Sequence, residues 1–172
     1  PPAKTEAMQG GPLTVNDDFM APADILQRAS AADVRELQWL RLLRRDLVMV
    51  NGPQGLQQLL DARSGQPYTP TQDEIVSAAA RLRTATITEV TLQREADFHY
   101  YSREPHTMSG GEKPLPVLRL SYDDEHHSVA YVDPRTGALV QQVDDARRVR
   151  RWLFALLHSW DWLPLLSNRP LW

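Results

Sequence analysis

The fold of this 172-residue chain is decided by the stretch Val117-Leu118-Arg119-Leu120-Ser121-Tyr122, followed by Val129-Ala130-Tyr131-Val132 and Asp133-Pro134-Arg135-Thr136-Gly137. The two apolar runs flank a polar connection, and the Asp-Pro-Arg-Thr-Gly segment is a second turn. Short alternating runs between turn residues are typical of antiparallel strands. Two acidic residues, Asp144 and Asp145, then favour a helix N-terminus, and apolar residues recur at helical spacing at Ala146, Val149, Leu153, Leu156 and Trp160. The pattern predicts a β-meander followed by a helix.

A weaker copy of this pattern lies 72 residues earlier in the chain. The turn Asp61-Ala62-Arg63-Ser64-Gly65 aligns with Asp133 to Gly137, and Asn51 to Gly55 aligns with the polar connection at Asp123 to His127. The helix start at Thr71 to Glu74 aligns with the one at Val143 to Ala146 at the same offset. Because three features agree in register, the chain is predicted to contain a tandem repeat. We expect Asp61 and Asp133 to open equivalent turns, with Gly65 and Gly137 at positive φ.

Composition excludes several classes of function. The chain has 19 basic and 22 acidic residues, so a net charge of −3 gives no bulk electrostatic case for binding nucleic acid. The absence of cysteine excludes disulfide frameworks, thiolate metal sites and cysteine nucleophiles. The sequence contains neither a Gly-x-Ser-x-Gly elbow nor a P-loop. No catalytic residue is assigned, and we expect that the chain is not an enzyme.

The remaining segments predict a mobile arm, two helices, strands and a long connection. Residues 1–20 are rich in small, polar and proline residues and predict a mobile N-terminal arm, and a short helix is predicted from Pro22. Val34 to Val50 fits a helix or a strand by periodicity, and the repeat favours a strand. Thr71 to Glu74 predicts a capping box, Thr86 to Leu92 predicts a strand, and Ala96 to Pro114 predicts an extra hairpin or long loop.

Five histidines raise the question of a metal site: His99, His106, His126, His127 and His158. His126 and His127 are neighbours in a turn and would diverge in a strand, so they are interpreted, with Asp123, Asp124 and Glu125, as solvated turn residues. His158 is interpreted as a helix cap or packing residue, with approach to a membrane cofactor as the alternative. No metal ligand is assigned.

The end of the sequence combines arginines with tryptophans. Arg147, Arg148, Arg150 and Arg151 form either a solvated helix face or a surface that binds phosphate or anionic headgroups. Four of the five tryptophans lie in the last 21 residues, at Trp152, Trp160, Trp162 and Trp172. We expect Trp152 in a hydrophobic core, and Trp162 and Trp172 at a membrane–water interface, where tryptophan is enriched.

With these pieces placed, the chain resembles the PepSY domain family from about Pro22 to Trp172, and more narrowly the periplasmic part of PepSY-associated transmembrane proteins. One unit is similar in its helix at Thr71 to Arg83, its strands and its turn at Tyr131 to Gly137, and the turn at Asp61 to Gly65 resembles that of a diverged first unit. The tail at Arg151 to Asp161 and Asn168 to Trp172 is similar to the segment that leads into a transmembrane helix in those proteins. The resemblance implies a bacterial inner-membrane setting and, in some members, haem-dependent reduction of iron carriers, but no catalytic residues in the soluble part.

These observations predict an α+β chain of two tandem PepSY-like units, each a helix packed on a small antiparallel sheet, plus a C-terminal helix. The expected divisions are an arm at 1–20, a diverged unit at 21–70, a second unit at 71–143, and a C-terminal helix with a juxtamembrane tail at 144–172. We expect a non-catalytic binding or positioning module on the periplasmic side of a bacterial inner membrane. Its expected partners are the anionic membrane surface, its own transmembrane segments, and a periplasmic protein or an iron carrier (siderophore). No cofactor is expected in this chain, and any haem would belong to a membrane part.

The alternative is a peptidase-regulating module, because PepSY domains also occur in protease propeptides. Such a module needs an exposed edge strand or loop that docks in a protease cleft. The extra segment from Ala96 to Pro114 is the candidate for that contact.

Overall fold

The computed structural model describes residues 6–30, 33–97, 99–100 and 113–157. Their elements are, in order, α1 Glu6–Gln9, α2 Pro22–Arg28, β1 Glu36–Leu42, β2 Arg45–Gly52, β3 Gly55–Asp61, α3 Gln72–Ala79, β4 Ile87–Gln93, β5 Val117–Tyr122, β6 Val129–Val132, β7 Leu139–Val143 and α4 Asp145–Leu157. The strands form two antiparallel sheets in sequential order, β1-β2-β3 and β4-β5-β6-β7. The predicted α+β class is confirmed.

The two Asp-x-Arg-Ser/Thr-Gly turns have the same hydrogen bonds. The N–H of Gly65 donates to the carbonyl oxygen of Asp61 at 2.9 Å, and the N–H of Gly137 donates to that of Asp133 at 2.7 Å. Both glycines have positive φ, at 64° and 72°. In this left-handed region a Cβ atom is crowded by the backbone, so glycine is the residue that adopts it at least cost. The predicted equivalence of the two turns is confirmed.

The strand order around these turns is also the same. An antiparallel hairpin precedes each turn, β2–β3 in one case and β5–β6 in the other. After the first turn, an isolated antiparallel bridge joins Leu60 to Pro67, at the positions equivalent to the paired Val132 and Leu139. A helix, α3 or α4, then follows each turn. The first copy therefore contains a single bridge where the second contains the strand β7.

The ambiguous stretch from Val34 to Val50 contains two strands rather than one element. β1 and β2 are joined by a tight turn at Leu43 and Arg44, which have φ of 50° and 66°. Positive φ at both central residues matches the twist of a two-residue hairpin, although asparagine and glycine are the usual occupants. Leu43 is 8% exposed and belongs to the main core. Burial of its side chain offsets the unfavourable backbone, and this is why turn composition did not predict the hairpin.

The N-terminal segment packs against this hairpin tip, whereas the sequence predicted a mobile arm over 1–20. The carbonyl oxygens of Met8 and Gln9 accept the N–H groups of Leu43 and Arg44, each at 3.0 Å. Met8 is 1% exposed in the main core. Sequence periodicity misses such a segment because α1 has only 4 residues and packs through a single buried side chain. Residues 1–5 lie outside the described part of the chain.

Helix α3 begins at the predicted capping box. The hydroxyl oxygen of Thr71 accepts the N–H of Glu74 at 3.2 Å, and a carboxylate oxygen of Glu74 accepts the N–H of Thr71 at 2.9 Å. The two bonds satisfy backbone donors that a helix start leaves without partners. The predicted capping box is confirmed.

The main core is shared by both sheets through α3. Its buried residues include Leu42 and Leu47 from the first sheet, Ile75, Ala78 and Ala79 from α3, and Leu118, Leu120, Ala130 and Val132 from the second sheet. A smaller cluster places α2 against the first sheet, where Ile25 meets Val48, Val50, Leu60 and Ala62. Helix α2 therefore packs on the first sheet, whereas α3 packs on the second sheet and also contacts the first.

Strand β4 is the outer strand of the second sheet, close to the predicted span of Thr86 to Leu92. A register shift separates Ile87 from Glu89 in its pairing with β5. Ile87 and Val90 both pack against the main core, although strict alternation would place them on opposite faces. The bulge explains this, because one extra residue inverts the side-chain alternation beyond it.

Candidate functional site

The C-terminal helix α4 starts directly after β7 and is capped by an acidic side chain. A carboxylate oxygen of Asp144 accepts the N–H of Arg147 at 2.8 Å, and its carbonyl oxygen accepts the N–H of Arg148 at 2.9 Å. Asp145 adds a negative charge to the first turn. These contacts agree with the prediction that Asp144 and Asp145 mark a helix start.

Three of the four predicted arginines turn back onto the body of the protein. Arg147 donates to the carbonyl oxygen of Gln142 on β7 at 2.8 Å, and Arg151 donates to that of His99 at 3.1 Å. Arg148 donates to the carbonyl oxygen of His127 at 2.8 Å and to the carboxylate of Asp145 at 2.7 Å.

Arg150 is exposed and has no such described contact with the body of the protein.

The three inward arginines line a cleft of about 230 Å³ between α4, β7 and the chain at His99. The other described lining residues are His99, Gln141, Gln142 and Val143, and none of these lining residues is acidic. The cleft is smaller than the ~300–1,000 Å³ that small-molecule and cofactor pockets usually occupy. Its size and charge suit a small anion.

The chain at His99 is held in place by a buried tyrosine. Tyr100 is fully buried, stacks on Tyr131 with ring centroids 4.7 Å apart, and donates its hydroxyl to the carbonyl oxygen of Pro114 at 2.7 Å. A carboxylate oxygen of Asp97 accepts the N–H groups of His99 and Tyr100 at 2.8 and 2.6 Å. Burial raises the pKa of Tyr100 to about 12. This anchor fixes the side of the cleft that His99 forms.

The sequence did not predict this anchor, because the segment from Ala96 to Pro114 was interpreted as an extra hairpin or long loop and, in the alternative function, as a protease contact. The signal was a tyrosine pair, Tyr100 and Tyr101, in an otherwise polar stretch. Residues 98 and 101–112 lie outside the described part of the chain, so the expected hairpin stays a prediction.

The electrostatic environment of His99 reflects the positive charge of the cleft. Burial lowers the pKa of His99, and the charges of Arg148 and Arg151 lower it further, whereas Asp97 opposes this shift. Burial and the two arginine charges disfavour the charged imidazolium. The ring is therefore neutral at neutral pH, and the arginines carry the positive charge of the cleft.

The large apolar side chains of α4 that the structure describes are exposed. Val149, Trp152 and Leu153 are 56%, 54% and 41% exposed. The expectation that Trp152 belongs to a hydrophobic core is wrong, because arginines of α4 contact the domain whereas Trp152 is exposed. Trp160, Trp162 and Trp172 lie outside the described residues.

The histidine turn contacts the start of α4 through a hydrogen bond. His127 Nδ1 lies 2.8 Å from a carboxylate oxygen of Asp145, and this contact lowers the pKa of that carboxyl group. Over the described ranges, no group of three or more His, Asp or Glu side chains could hold a metal ion. His106 and His158 lie outside those ranges.

Asp124 is largely buried, whereas the sequence predicted a solvated turn residue. Its side chain is 15% exposed, contacts the guanidinium of Arg83 at 3.2 Å and accepts the N–H of Ser128 at 2.8 Å. These contacts pin the β5–β6 connection to the segment after α3.

In the part of the chain that the structure describes, no helix is long and apolar enough to cross a membrane.

The remaining predicted residues have structural roles: Asp61, Gly65, Asp133 and Gly137 form the two equivalent turns, away from the arginine cleft. The candidate site is therefore α4, with an arginine cleft on its inner side and an apolar face on its outer side. Comparison with known proteins matched this chain to no family model, no curated protein and no solved structure.

Proposed function

We propose that this chain is a non-catalytic binding and positioning module that α4 holds against an anionic membrane surface. The orientation of α4 carries the proposal. A surface helix normally turns its apolar side towards the core and its charged side towards water. In α4 the arginines Arg147 and Arg151 contact the protein body, whereas Trp152 and Leu153 are exposed.

A lipid surface fits the outer face of α4 by its chemistry. Tryptophan is enriched at membrane–water interfaces, and an amphipathic helix can lie in the interface with its apolar side among the acyl chains. Arg150 is exposed on the same helix, and a basic residue near an anionic surface gains on the order of 1 kcal/mol. Trp162 and Trp172 remain sequence-based candidates for the same surface.

The proposal also includes the tandem units expected from the sequence. Two tandem PepSY-like units, at 21–70 and 71–143, would lie on the periplasmic side of a bacterial inner membrane. The equivalent turns and the packing of one helix on each sheet support a repeated unit. The iron carrier and the haem-containing membrane part follow from the family resemblance alone.

Vesicle flotation tests the membrane contact. We expect the chain to float with vesicles that contain phosphatidylglycerol, and the double variant Trp152→Gln/Leu153→Gln to bind about tenfold more weakly. Burying one large apolar side chain contributes ~1.5–3 kcal/mol, and about 1.4 kcal/mol corresponds to a factor of ten. Because both side chains are about half exposed before binding, tenfold for the pair is a conservative expectation.

The double variant Val15→Gln/Leu26→Gln is the matched control, since these residues are 70% and 47% exposed elsewhere on the surface. Equal loss of binding in both variants, or no flotation of the unmodified chain at low salt, would refute the proposed contact. Deleting residues 161–172 in the same assay tests the expectation for Trp162 and Trp172.

The peptidase-regulating alternative has less support from the described residues. Its edge-strand version requires a partner strand to add to β4, the outer strand nearest the extra segment. β4 carries a bulge beside Glu89, and Glu89 contacts Arg119 at 3.0 Å. Bulges and charged side chains are features that protect sheet edges from further pairing.

A further inference from the structure

We propose that the cleft lined by Arg147, Arg148 and Arg151 is a binding site for a phosphate-type oxyanion. The site goes beyond the membrane contact, and it does not depend on that contact, because it lies on the other side of α4. The charge of the cleft, its hydrogen-bond donors and its position support the assignment.

The charge of the cleft favours an anion. Three guanidinium groups line a space of about 230 Å³, and the described lining contains no carboxylate. Arg148 is partly compensated by Asp145, with a nitrogen–oxygen distance of 2.7 Å. The described hydrogen bond of Arg147 goes to a carbonyl oxygen, a contact that orients the guanidinium without neutralising it. A phosphate monoester carries a charge of about −1.5 to −2 at neutral pH, so guanidinium groups attract it more strongly than they attract a single carboxylate.

The donors of the cleft match the oxygens of such an anion. A guanidinium presents five N–H groups in a planar fork that can bind phosphate through two parallel hydrogen bonds. The contacts of Arg147 and Arg148 with backbone carbonyls hold these forks in place before a ligand arrives. The side-chain nitrogen of Gln142, a lining residue, is buried and has no hydrogen-bond partner among the described residues. An amide donor of this kind adds a further N–H group to the lining of the cleft.

The position of the cleft favours a soluble anion over a lipid headgroup. Arg147, Arg148 and Arg151 recur at helical spacing on one side of α4. Val149 and Leu153 lie on the opposite side, and Trp152 lies between the two sides, one turn after Arg148. If the apolar side meets the bilayer, the cleft lies on the side of α4 away from it. The start of α4 is not the binding element, because Asp144 already caps it.

The experiment measures binding of inorganic phosphate by NMR at constant ionic strength, with chloride as the balancing anion. We expect saturable shifts of resonances at His99, Gln142 and the first two turns of α4. The variant Arg147→Gln should weaken phosphate binding about tenfold, whereas Arg150→Gln should weaken it less than about twofold. Arg150 is the matched control because it removes the same charge from the same helix outside the cleft, where salt screens its effect.

A second readout is the protonation of His99. Burial and the charges of Arg148, Arg151 and Arg119 lower its pKa, and Asp97 raises it. A bound phosphate adds negative charge beside the ring, so the pKa of His99 measured by NMR should rise with phosphate and not with chloride. This readout also reports binding if Arg147→Gln perturbs the local fold.

The outcomes separate the possible sources of the anion. Saturable phosphate binding that depends on Arg147 and persists in Trp152→Gln/Leu153→Gln supports a soluble ligand. Dependence on Arg147 in flotation with phosphatidylglycerol vesicles, without binding of free phosphate, would assign the same site to lipid headgroups. Equal loss in Arg147→Gln and Arg150→Gln, or phosphate shifts away from the cleft, would overturn the site while leaving the membrane contact standing.

Discussion

Replacing Gly137 with alanine should destabilise the protein more than its backbone conformation alone requires. Gly137 has φ of 72°, and a Cβ atom added there would lie 2.6 Å from Cδ1 and 3.0 Å from Cγ of Leu43. Leu43 is 8% exposed at the strained tip of the β1–β2 hairpin, so its side chain has little room to move. We expect a backbone cost of about 1–2 kcal/mol and a packing cost of about 1–3 kcal/mol.

The matched control is Gly55→Ala. Gly55 has φ of 95°, and an added Cβ atom would meet no atom within 4 Å. Its backbone cost should be at least as large, because this φ lies farther from the left-handed minimum near 57°. The difference between the two variants is therefore a lower bound on the packing cost.

The assay is urea denaturation of both variants, alone and in a Leu43→Ala background. The free energy of unfolding should fall more in Gly137→Ala than in Gly55→Ala, by up to about 1–3 kcal/mol, because only the first variant also carries the packing cost. Shortening Leu43 should remove that difference, since the clashing atoms are gone. A cost of Gly137→Ala that is undiminished without the Leu43 side chain would show that the hairpin tip does not press on the turn.

Three further outcomes are expected. Thr71→Ala should lower the free energy of unfolding by about 1 kcal/mol in urea denaturation, because it removes the capping bond to Glu74; an unchanged midpoint would contradict this role. Tyr122→Phe should cost about 0.5–1.5 kcal/mol, since its hydroxyl donates to the buried carbonyl oxygen of Ala79 at 2.9 Å; a neutral effect would mean that the acceptor finds another donor. Burial alone would raise the pKa of Asp124, but its hydrogen bonds and the charge of Arg83 lower the pKa below the ordinary value of 3.8. Its contribution should therefore be complete above the unfolded-state pKa and lost as pH falls through the folded-state pKa. The stability gap between the native chain and Asp124→Asn should narrow from about pH 6 to about pH 2, and a constant gap would contradict the ionised pair.

Local sequence patterns predicted the parts of the fold that depend on residues close together in the chain. The two Asp-x-Arg-Ser/Thr-Gly turns could be read from sequence because glycine and aspartate at fixed spacing imply a definite backbone path and hydrogen bonds. The capping box was predicted for the same reason. In both cases the interactions that decide the structure lie within a few residues of one another.

Other features depended on contacts between distant segments. The hairpin at Leu43 and Arg44 carries no turn residues, and it is held by Met8 from the N-terminal segment. Periodicity also could not predict the orientation of α4. The spacing of Val149 and Leu153 indicates an amphipathic helix, but it does not state which side meets the protein. The arginine cleft was missed as a unit because its parts come from α4, β7 and the chain at His99.

The core that both sheets share through α3 makes the protein thermodynamically indivisible, despite its repeated chain pattern. A cut between the first turn and α3 would leave Leu42 and Leu47 on one piece and Leu118 and Leu120 on the other, each without its buried neighbours. Neither piece should hold a native structure alone, since each would expose apolar surface that only the other can cover. The chain should therefore melt in one cooperative transition, with equal calorimetric and van't Hoff enthalpies. Damage to the first half would then also lower the population of the folded second half.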